Sequence, residues 1–593
     1  MEYHRFYMGR EFEAYQYLGA HVVEEGVVFR TFAPLARKVS VIGEFNNWLP
    51  TLMHHVYNHD FWEVKIKNAQ IGQMYKFRIE GEDGQIIDHA DPYAFFSQLR
   101  PESASIIRDL NDYTFHDGAW QKRYFDSKQS PVNIYELHFG SWKKPGKEED
   151  AWYTYEEMAP LLIPYVKNMG YNFIEIMPLG EYPCDASWGY QSTGFFSPTS
   201  RYGTPKQLCT FIESCHAQGI GVLLDFVPVH FAVNEYGLKD YDDSDLYSFD
   251  HDVKYNEWGS CNFNHARRET CSFLQSAAHY WLNEFHFDGL RMDAVGNLIY
   301  WQGNAERGEN KEAIEFLQTM NEELKKEFPK CLLIAEDSSS WQGVTHPVHE
   351  GGLGFDYKWD LGWMNDTLNY FETAPYLRSE HYHSLTWSMA YYYNEHYLLP
   401  FSHDEVVHGK KTIVDKMFGS YEEKFAQARA LYLYMYVHPG KKLNFMGNEF
   451  GQLREWDERR EQDWKILKYP MHDAFHKLIH DLNECYQRHP ALYAGDYEHS
   501  GFEWIDCHQE DSCVYVLKRI SQEEKIFAIF NFSGIEQVYY CPDTVGKKLT
   551  LLFDSDGGWY GGNSIDPMME MDISHGYGMK IPPFTGRYYL LED

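Results

Sequence analysis

Four acidic residues in this 593-residue chain occupy the same kind of position. Asp225 sits in LLDFVPVH, Asp293 in GLRMDAV and Glu336 in LLIAED, each closing a short apolar run, and Asp404 follows LLPFSH. A carboxylate beside apolar strand residues costs free energy to desolvate unless it has a partner or a task. Basic groups are interleaved: His230 after Asp225, Arg291 two residues before Asp293, and His403 just before Asp404. Residues i and i+2 of a strand share a face, so Arg291 and Asp293 are expected to face one site, the cation holding the aspartate ionised. A structural ion pair would account for any one of these acids. Four acids at the same end of four strands point instead to a polycarboxylate centre.

Several chemistries are excluded or weakened. The run HDEVVH (403–408) is ligand-rich, but it lacks H-E-x-x-H and its histidines are five apart, which argues against zinc. A hard cation held by side-chain oxygens stays open, although no EF-hand loop is present. No P-loop and no G-x-S-x-G elbow occurs, which disfavours phosphoryl transfer and serine hydrolysis. Glycosidic bond chemistry fits best. It needs one protonated acid at the leaving oxygen and one ionised carboxylate at the anomeric carbon. A third carboxylate can hold sugar hydroxyls, and aromatic residues, 17% of the chain, can supply a stacking floor. The segment 185–203 carries Trp188, Tyr190, Phe195, Phe196 and Tyr202. It reads equally as a glucose-stacking wall or as a core-packed Ω-loop.

The elements that must position these groups are legible. Eight apolar runs, at 132–139, 173–180, 221–229, 288–295, 331–337, 358–362, 398–403 and 442–447, alternate with helical patterns such as 154–170, 205–219 and 311–328. That is the count of a (β/α)8 barrel, whose catalytic side chains sit at the C-terminal ends of strands. Before it, strands at 27–34, 38–45, 61–67 and 74–80 predict a β-sandwich; after the helix at 471–489, strands at 512–520, 525–532, 536–542, 548–554 and 586–592 predict a second one. The expected division is 1–110, 111–490 and 491–593. Trp48, beside a turn in the first sandwich, is expected to pack inward rather than offer a stacking surface.

Composition narrows the setting. The chain is 44% hydrophobic and 24% charged, with a net charge of −35. So acidic a surface repels phosphate backbones and anionic lipid, so neither nucleic acid nor a membrane is expected as partner. The ten cysteines are sparse and form no C-x-x-C, as free thiols of a reducing compartment would. The N-terminus shows no apolar signal core, and the longest aliphatic and aromatic stretch, 430–437, is far short of the ~18 residues a membrane span needs. A cytoplasmic protein, with a monomer favoured, is the expectation.

The motifs resemble those of the α-amylase superfamily, glycoside hydrolase family 13, and more closely the α-1,4-glucan (glycogen) branching enzymes. DFVPVHF (225–231), FDGLRMDAV (287–295), LIAEDSS (333–339) and LPFSHDEVVHGKK (399–411) are similar to the four motifs of that superfamily. YELHFGSW (135–142), EIMPLGEYPCDASWGYQSTGFFSPTSRYG (175–203), GFDYKWDLGWMNDTL (354–368) and NFMGNEFGQLREWD (444–457) resemble branching enzymes in particular. FRTFAPLARKVSVIGEFNNW (29–48) and DHADPYAF (88–95) resemble the starch-binding-like module that precedes such barrels.

The resemblance implies a retaining transglycosylase acting on an α-glucan; no cofactor or metal is expected, the region 231–268 being too short for a large calcium-bearing insertion of the amylase kind. It implies Asp293 as nucleophile, Glu336 as general acid/base and Asp404 as the stabilising third carboxylate. It implies Tyr190 as a stacking residue, with Asp225, His230, Arg291 and His403 binding the sugar and supporting the acids. Departures are Asp337, where many branching enzymes carry a second Glu, Phe226 and Val229 in the first motif, and the stretch GNLIYWQGN (296–304). The alternatives are an α-glucan hydrolase of the same superfamily and a non-catalytic glucan-binding protein. The last predicts lost carboxylates, yet all three are present.

Overall fold

The structure, a computed structural model, describes residues 1–564 and 567–592. At its centre eight parallel strands close into a barrel: β1 (Asn133–Leu137), β2 (Phe173–Ile176), β3 (Gly221–Phe226), β4 (Gly289–Met292), β5 (Leu332–Ala335), β6 (Tyr357–Trp359), β7 (Tyr397–Phe401) and β8 (Lys441–Phe445). Each falls on one of the eight apolar runs. Closure is made by β8 pairing with β1, Asn133 opposite Lys442.

Alternate residues of these strands fill the barrel. Val132, Ile134, Phe173, Leu223, Leu332, Ile334, Tyr357, Trp359, Leu398 and Leu443 form one buried cluster. Two residues further along the same faces stand Glu136 after Ile134, Glu175 after Phe173, Asp225 after Leu223 and Glu336 after Ile334. The packed apolar layers thus support a polar layer at the C-terminal end. Register aligns it: Glu136 lies opposite Glu175, and Asp225 opposite Arg291.

Helices follow seven of the strands: α1 (Tyr155–Asn168), α2 (Pro205–Ala217), α3 (Arg268–Glu284), α4 (Lys311–Glu327), α5 (Leu361–Glu372), α6 (Tyr421–Val437) and α7 (Pro470–Arg488). Local chemistry starts several of them. Thr154 with Glu157, Thr204 with Gln207 and Ser420 with Glu423 form reciprocal capping boxes, and Pro205 takes the first helical position of α2. Helix α6 is buried from Phe425 to Val437 on nearly every side. The strand Thr585–Glu592 of the C-terminal sheet covers it, with the Tyr588 hydroxyl donating to the Leu433 carbonyl. The apolar run at 430–437 is therefore a doubly covered helix. Among the described residues no helix is long and apolar enough to cross a membrane.

Two β-units flank the barrel. The N-terminal one stacks a sheet containing Gly19–Val23, Gly26–Phe32 and Phe61–Ile66 on another containing Lys38–Gly43, Met74–Glu80 and Ile86–His89. It is tied to the barrel through Thr31 and Tyr241, whose hydroxyls lie 2.7 Å apart, and through Tyr15, which donates to Glu284 at 2.9 Å. Trp48 corrects the sequence expectation: it is exposed, at 38%. Asn47 and Trp48 both adopt left-handed backbone, φ 54° and 59°, where the chain turns off the sheet edge, so the indole swings clear of the core. The C-terminal unit packs a six-stranded sheet on the pair Gln537–Cys541 and Tyr577–Ile581 around Val516, Phe527, Ile529 and Tyr589. Arg519 anchors it, donating to the Val437 carbonyl at 2.8 Å and to buried Asp496 at 2.7 Å. All ten cysteines are unpaired.

Candidate active site

At the C-terminal rim a cleft of about 380 Å³ is lined by Asp293, Glu336 and Asp404 together with Tyr190, His230 and His403. Asp225 and Arg291 lie just beneath it, buried. All eight residues singled out in the sequence meet here, although they span positions 190 to 404.

Arg291, from β4, organises the cluster. Its Nη1 donates to both Asp225 oxygens at 2.7 and 2.6 Å and to Asp293 Oδ1 at 3.1 Å; its Nη2 donates to Glu336 Oε2 at 3.0 Å. The guanidinium lies over the buried Trp359 ring, 4.4 Å from its centroid. Glu336 Oε2 also accepts the Ala294 amide at 2.9 Å. Ala294 holds left-handed backbone, φ 47°, a strained conformation for a residue with a Cβ, and this turn aims its N–H at the acid.

The loop after β2 closes one side. Tyr190 donates to Asp225 Oδ2 at 2.5 Å, and its hydroxyl lies 3.2 Å from His403 Nε2, with the two rings stacked at 5.6 Å. Trp188 stacks on His408 at 5.3 Å and donates to Glu458 at 3.1 Å. Phe195, Phe196 and Tyr202 turn inward and are buried. The aromatic loop is thus a cleft wall over its first part and core over its second, where Gly194–Pro198 forms a short strand.

Electrostatics divide the acids. Burial pushes Asp293 well above the usual carboxylate range; Arg291 opposes this, and Glu336, Asp225 and Asp404 add to it. Asp404, whose side chain is 48% exposed, is pushed up by partial burial, but His403, Arg291 and Lys410 outweigh that and hold it below the usual range. Burial alone would lower His403, but Asp404 and Glu136 outweigh it and raise the imidazole to about 9. His230 is lowered to about 4 by burial and so stays neutral, with Nδ1 lacking a protein partner.

Sequence reasoning missed other groups at this site. Glu136 and Glu175 stand inside quoted motifs, but nothing in a linear pattern marks their depth in the barrel. Trp258, from the long loop after β3, and His408, four residues beyond Asp404, complete the cleft wall. Asp337, noted as a departure, is buried and salt-bridged to Lys358 Nζ at 2.8 Å. A Cβ on Gly296 would come within 2.8 Å of Asp337 Oδ1, so the short acid fits a tight gap between the turn after β4 and β6. His403 and His408 do not form a metal cluster. Among the described residues only His383, His508 and Glu510 bring three such ligand atoms within 4.8 Å, and they lie outside the cleft.

A closed (β/α)8 barrel with acids from successive strand ends, preceded by a small β-sandwich, is the architecture of the α-amylase class of carbohydrate-active enzymes. Family models agree: residues 17–94 match Carbohydrate-binding module 48 (Isoamylase N-terminal domain), and residues 162–262 and 253–533 match the Alpha amylase, catalytic domain. A pullulanase from Bacillus acidopullulyticus shares the fold, with a TM-score of 0.75 at 15% identity, covering 97% of this chain and 74% of that one. Nearer relatives are 1,4-alpha-glucan branching enzymes. That of Fusobacterium nucleatum subsp. nucleatum is 45% identical over 91% of this chain and 88% of its own. That of Geobacillus stearothermophilus is 42% identical over 98% and 94%. The chain belongs to the 1,4-α-glucan branching enzyme family.

Proposed function

We propose that this chain cleaves an internal α-1,4 glucosidic bond and transfers the released segment to a 6-hydroxyl of an α-glucan, forming the α-1,6 branches of glycogen. The observation that carries the chemistry is the single guanidinium of Arg291 holding Asp225, Asp293 and Glu336 together at one cleft. In this reading Asp293 attacks the anomeric carbon while Glu336 protonates the leaving chain. A covalent glycosyl-enzyme results, and Glu336 then takes the proton of the acceptor hydroxyl. Glu336 Oε2 is held by two N–H donors, which leaves Oε1 as the oxygen that exchanges the proton. Asp404 faces the developing positive charge, and Tyr190, with Trp188 and Trp258 along the walls, supplies the stacking surface. Asp225, His230 and His403 hold the sugar hydroxyls.

Branching and hydrolysis share every step up to the intermediate. Transfer must beat abundant water by orientation, and a well-placed acceptor reaches effective molarities of ~10⁵ M or more. Near full-length identity to branching enzymes supports transfer. The proposed division is a sugar-binding module over 1–110, the catalytic barrel over 111–490 and a C-terminal β-sandwich over 491–593. Unpaired cysteines fit a cytoplasmic setting.

Amylose distinguishes the outcomes. Branching lowers iodine colour without new reducing ends, and a debranching enzyme then releases short chains from the product. Reducing ends that rise in step with the colour loss would make the protein a hydrolase instead.

A further inference from the structure

Two buried acids under the cleft have no part in the chemistry above. Glu136, on β1, grips His403 twice: Oε2 accepts the main-chain N–H at 3.1 Å, and Oε1 lies 2.5 Å from Nδ1. Its neighbour in register on β2, Glu175, is wholly buried, and neither of its oxygens has a protein partner. We propose that Glu136 and Glu175 hold one proton between them, resident on Glu175, so that anionic Glu136 acts as a positioning residue that keeps His403 an imidazolium with its Nε2–H presented to the cleft.

Charge and geometry both support this. The groups around the His403 ring are Glu136 and His138 from the β1 end, Glu175 from β2, Tyr190 from the following loop, Asp225 from β3, Arg291 from β4, and Asp404 on its own segment. Arg291 is already committed to three acids. An ionised Glu175 would add a buried anion beside Glu136 and Asp225 without a single N–H donor. Two carboxylates in one site do not both ionise readily; one takes the proton. Burial, with Glu136 close by, pushes Glu175 well above the usual carboxylate range. Glu136, which accepts two N–H groups from His403, is the anion of the pair. His403 then stands between Glu136 at Nδ1 and, at Nε2, Tyr190 at 3.2 Å and Asp404 at 3.4 Å. With both nitrogens protonated, it offers a fixed cationic donor where a sugar hydroxyl would lie.

The inference rests on the reading that His403 contacts the bound sugar, so the test has one readout in the free protein and one in turnover. In full-length protein labelled with ¹⁵N-histidine, the His403 resonance, assigned by its loss in His403→Gln, should titrate near 9 in wild type. In Glu136→Gln the titration should fall by about one pH unit or more, since a close carboxylate shifts a partner by about 1–3 units. In Glu175→Gln it should stay put, because a neutral acid is replaced by a neutral amide. The basic limb of kcat/KM for branching should follow the same pattern. An unshifted His403 in Glu136→Gln, or an equal drop in Glu175→Gln, overturns the proposal. If Glu136→Gln does not fold, Glu175→Gln still decides: the infrared difference spectrum against wild type must show the loss of one protonated-carboxyl band, and a spectrum without that loss rejects the assignment. Resonance shifts as expected with no matching shift in turnover would leave the proton pair standing and remove His403 from sugar binding.

Discussion

Arg291 Nη1 sits 2.7 and 2.6 Å from the two oxygens of Asp225, and both side chains are buried under the cleft floor. The pair does more than neutralise itself. Asp225 fixes one edge of the guanidinium so that the remaining N–H groups reach Asp293 and Glu336, while Trp359 closes one ring face. Lysine would keep the charge but lose the planar fork that spans these acids. Arg291→Lys is therefore expected to lower kcat/KM by about 10²-fold or more, the scale of losing one fixed electrostatic donor. Asp225→Asn should also lower the melting temperature, since breaking a buried ion pair costs up to ~3–5 kcal/mol and Arg291 keeps its other partners. A Lys variant within about twofold of wild type on amylose would show that the fork is dispensable.

Asp293 and Glu336 are assigned unlike tasks, so their amide variants should fail in unlike ways. Asp293→Asn removes the nucleophile and should abolish the glycosyl-enzyme. Glu336→Gln removes the proton donor and should cost about 10²–10⁴ in kcat on amylose. A substrate with an already acidic leaving group needs less protonation, so Glu336→Gln should still form the intermediate from it and stall there. Because burial and three acids hold Asp293 above the usual range, the acid limb of kcat/KM should lie above ~4, with activity rising with pH as Asp293 ionises. Mass spectrometry of the trapped protein checks both variants. Adduct on Asp293→Asn, or none on Glu336→Gln, would reverse the roles.

The barrel was readable because its strands are buried on both faces and end in acids two residues beyond an apolar position, a pattern that survives in one dimension. Helix α3 escaped notice for the opposite reason. From Thr270 to Leu282 every residue is buried, Ser272, Gln275, Ser276 and His279 included, so no polar face alternates with an apolar one. The covered helix α6 hid in the same way. Among site residues, those at strand ends in marked motifs were found. Glu136 and Glu175 were not, because their importance lies in depth and in register with each other, which only the closed sheet creates. Trp258 was missed because a single tryptophan in a loop carries no signal of what it will face. Trp48 misled because a turn beside a strand does not reveal the sign of φ.

His216 offers a stability test remote from the chemistry. From α2 its Nδ1 lies 2.8 Å from Asp117 and its Nε2 2.9 Å from Asp288, just before β4, and the side chain is 1% exposed. Trp120 stacks on the ring at 5.0 Å and donates to Asp288 at 2.7 Å. Burial alone would lower the imidazole, but the two aspartates outweigh it and raise it. Asp117 and Asp288 feel burial upward and their histidine partners more strongly downward, so both lie below the usual range. The signs follow. The histidine's contribution is complete below its unfolded value of ~6.5 and is lost as pH rises through its higher folded value. The aspartates' contribution is complete above ~4 and is lost as pH falls. His216→Gln should therefore lower the melting temperature by about 2 °C or less at pH 6, the effect of ~3 kcal/mol or less in a chain of this size, and by clearly less at pH 9. Calorimetry at both pH values measures the difference. An equal loss, or a larger one at pH 9, would mean that the ring acts by packing against Trp120 and not as a charged link between Asp117 and Asp288.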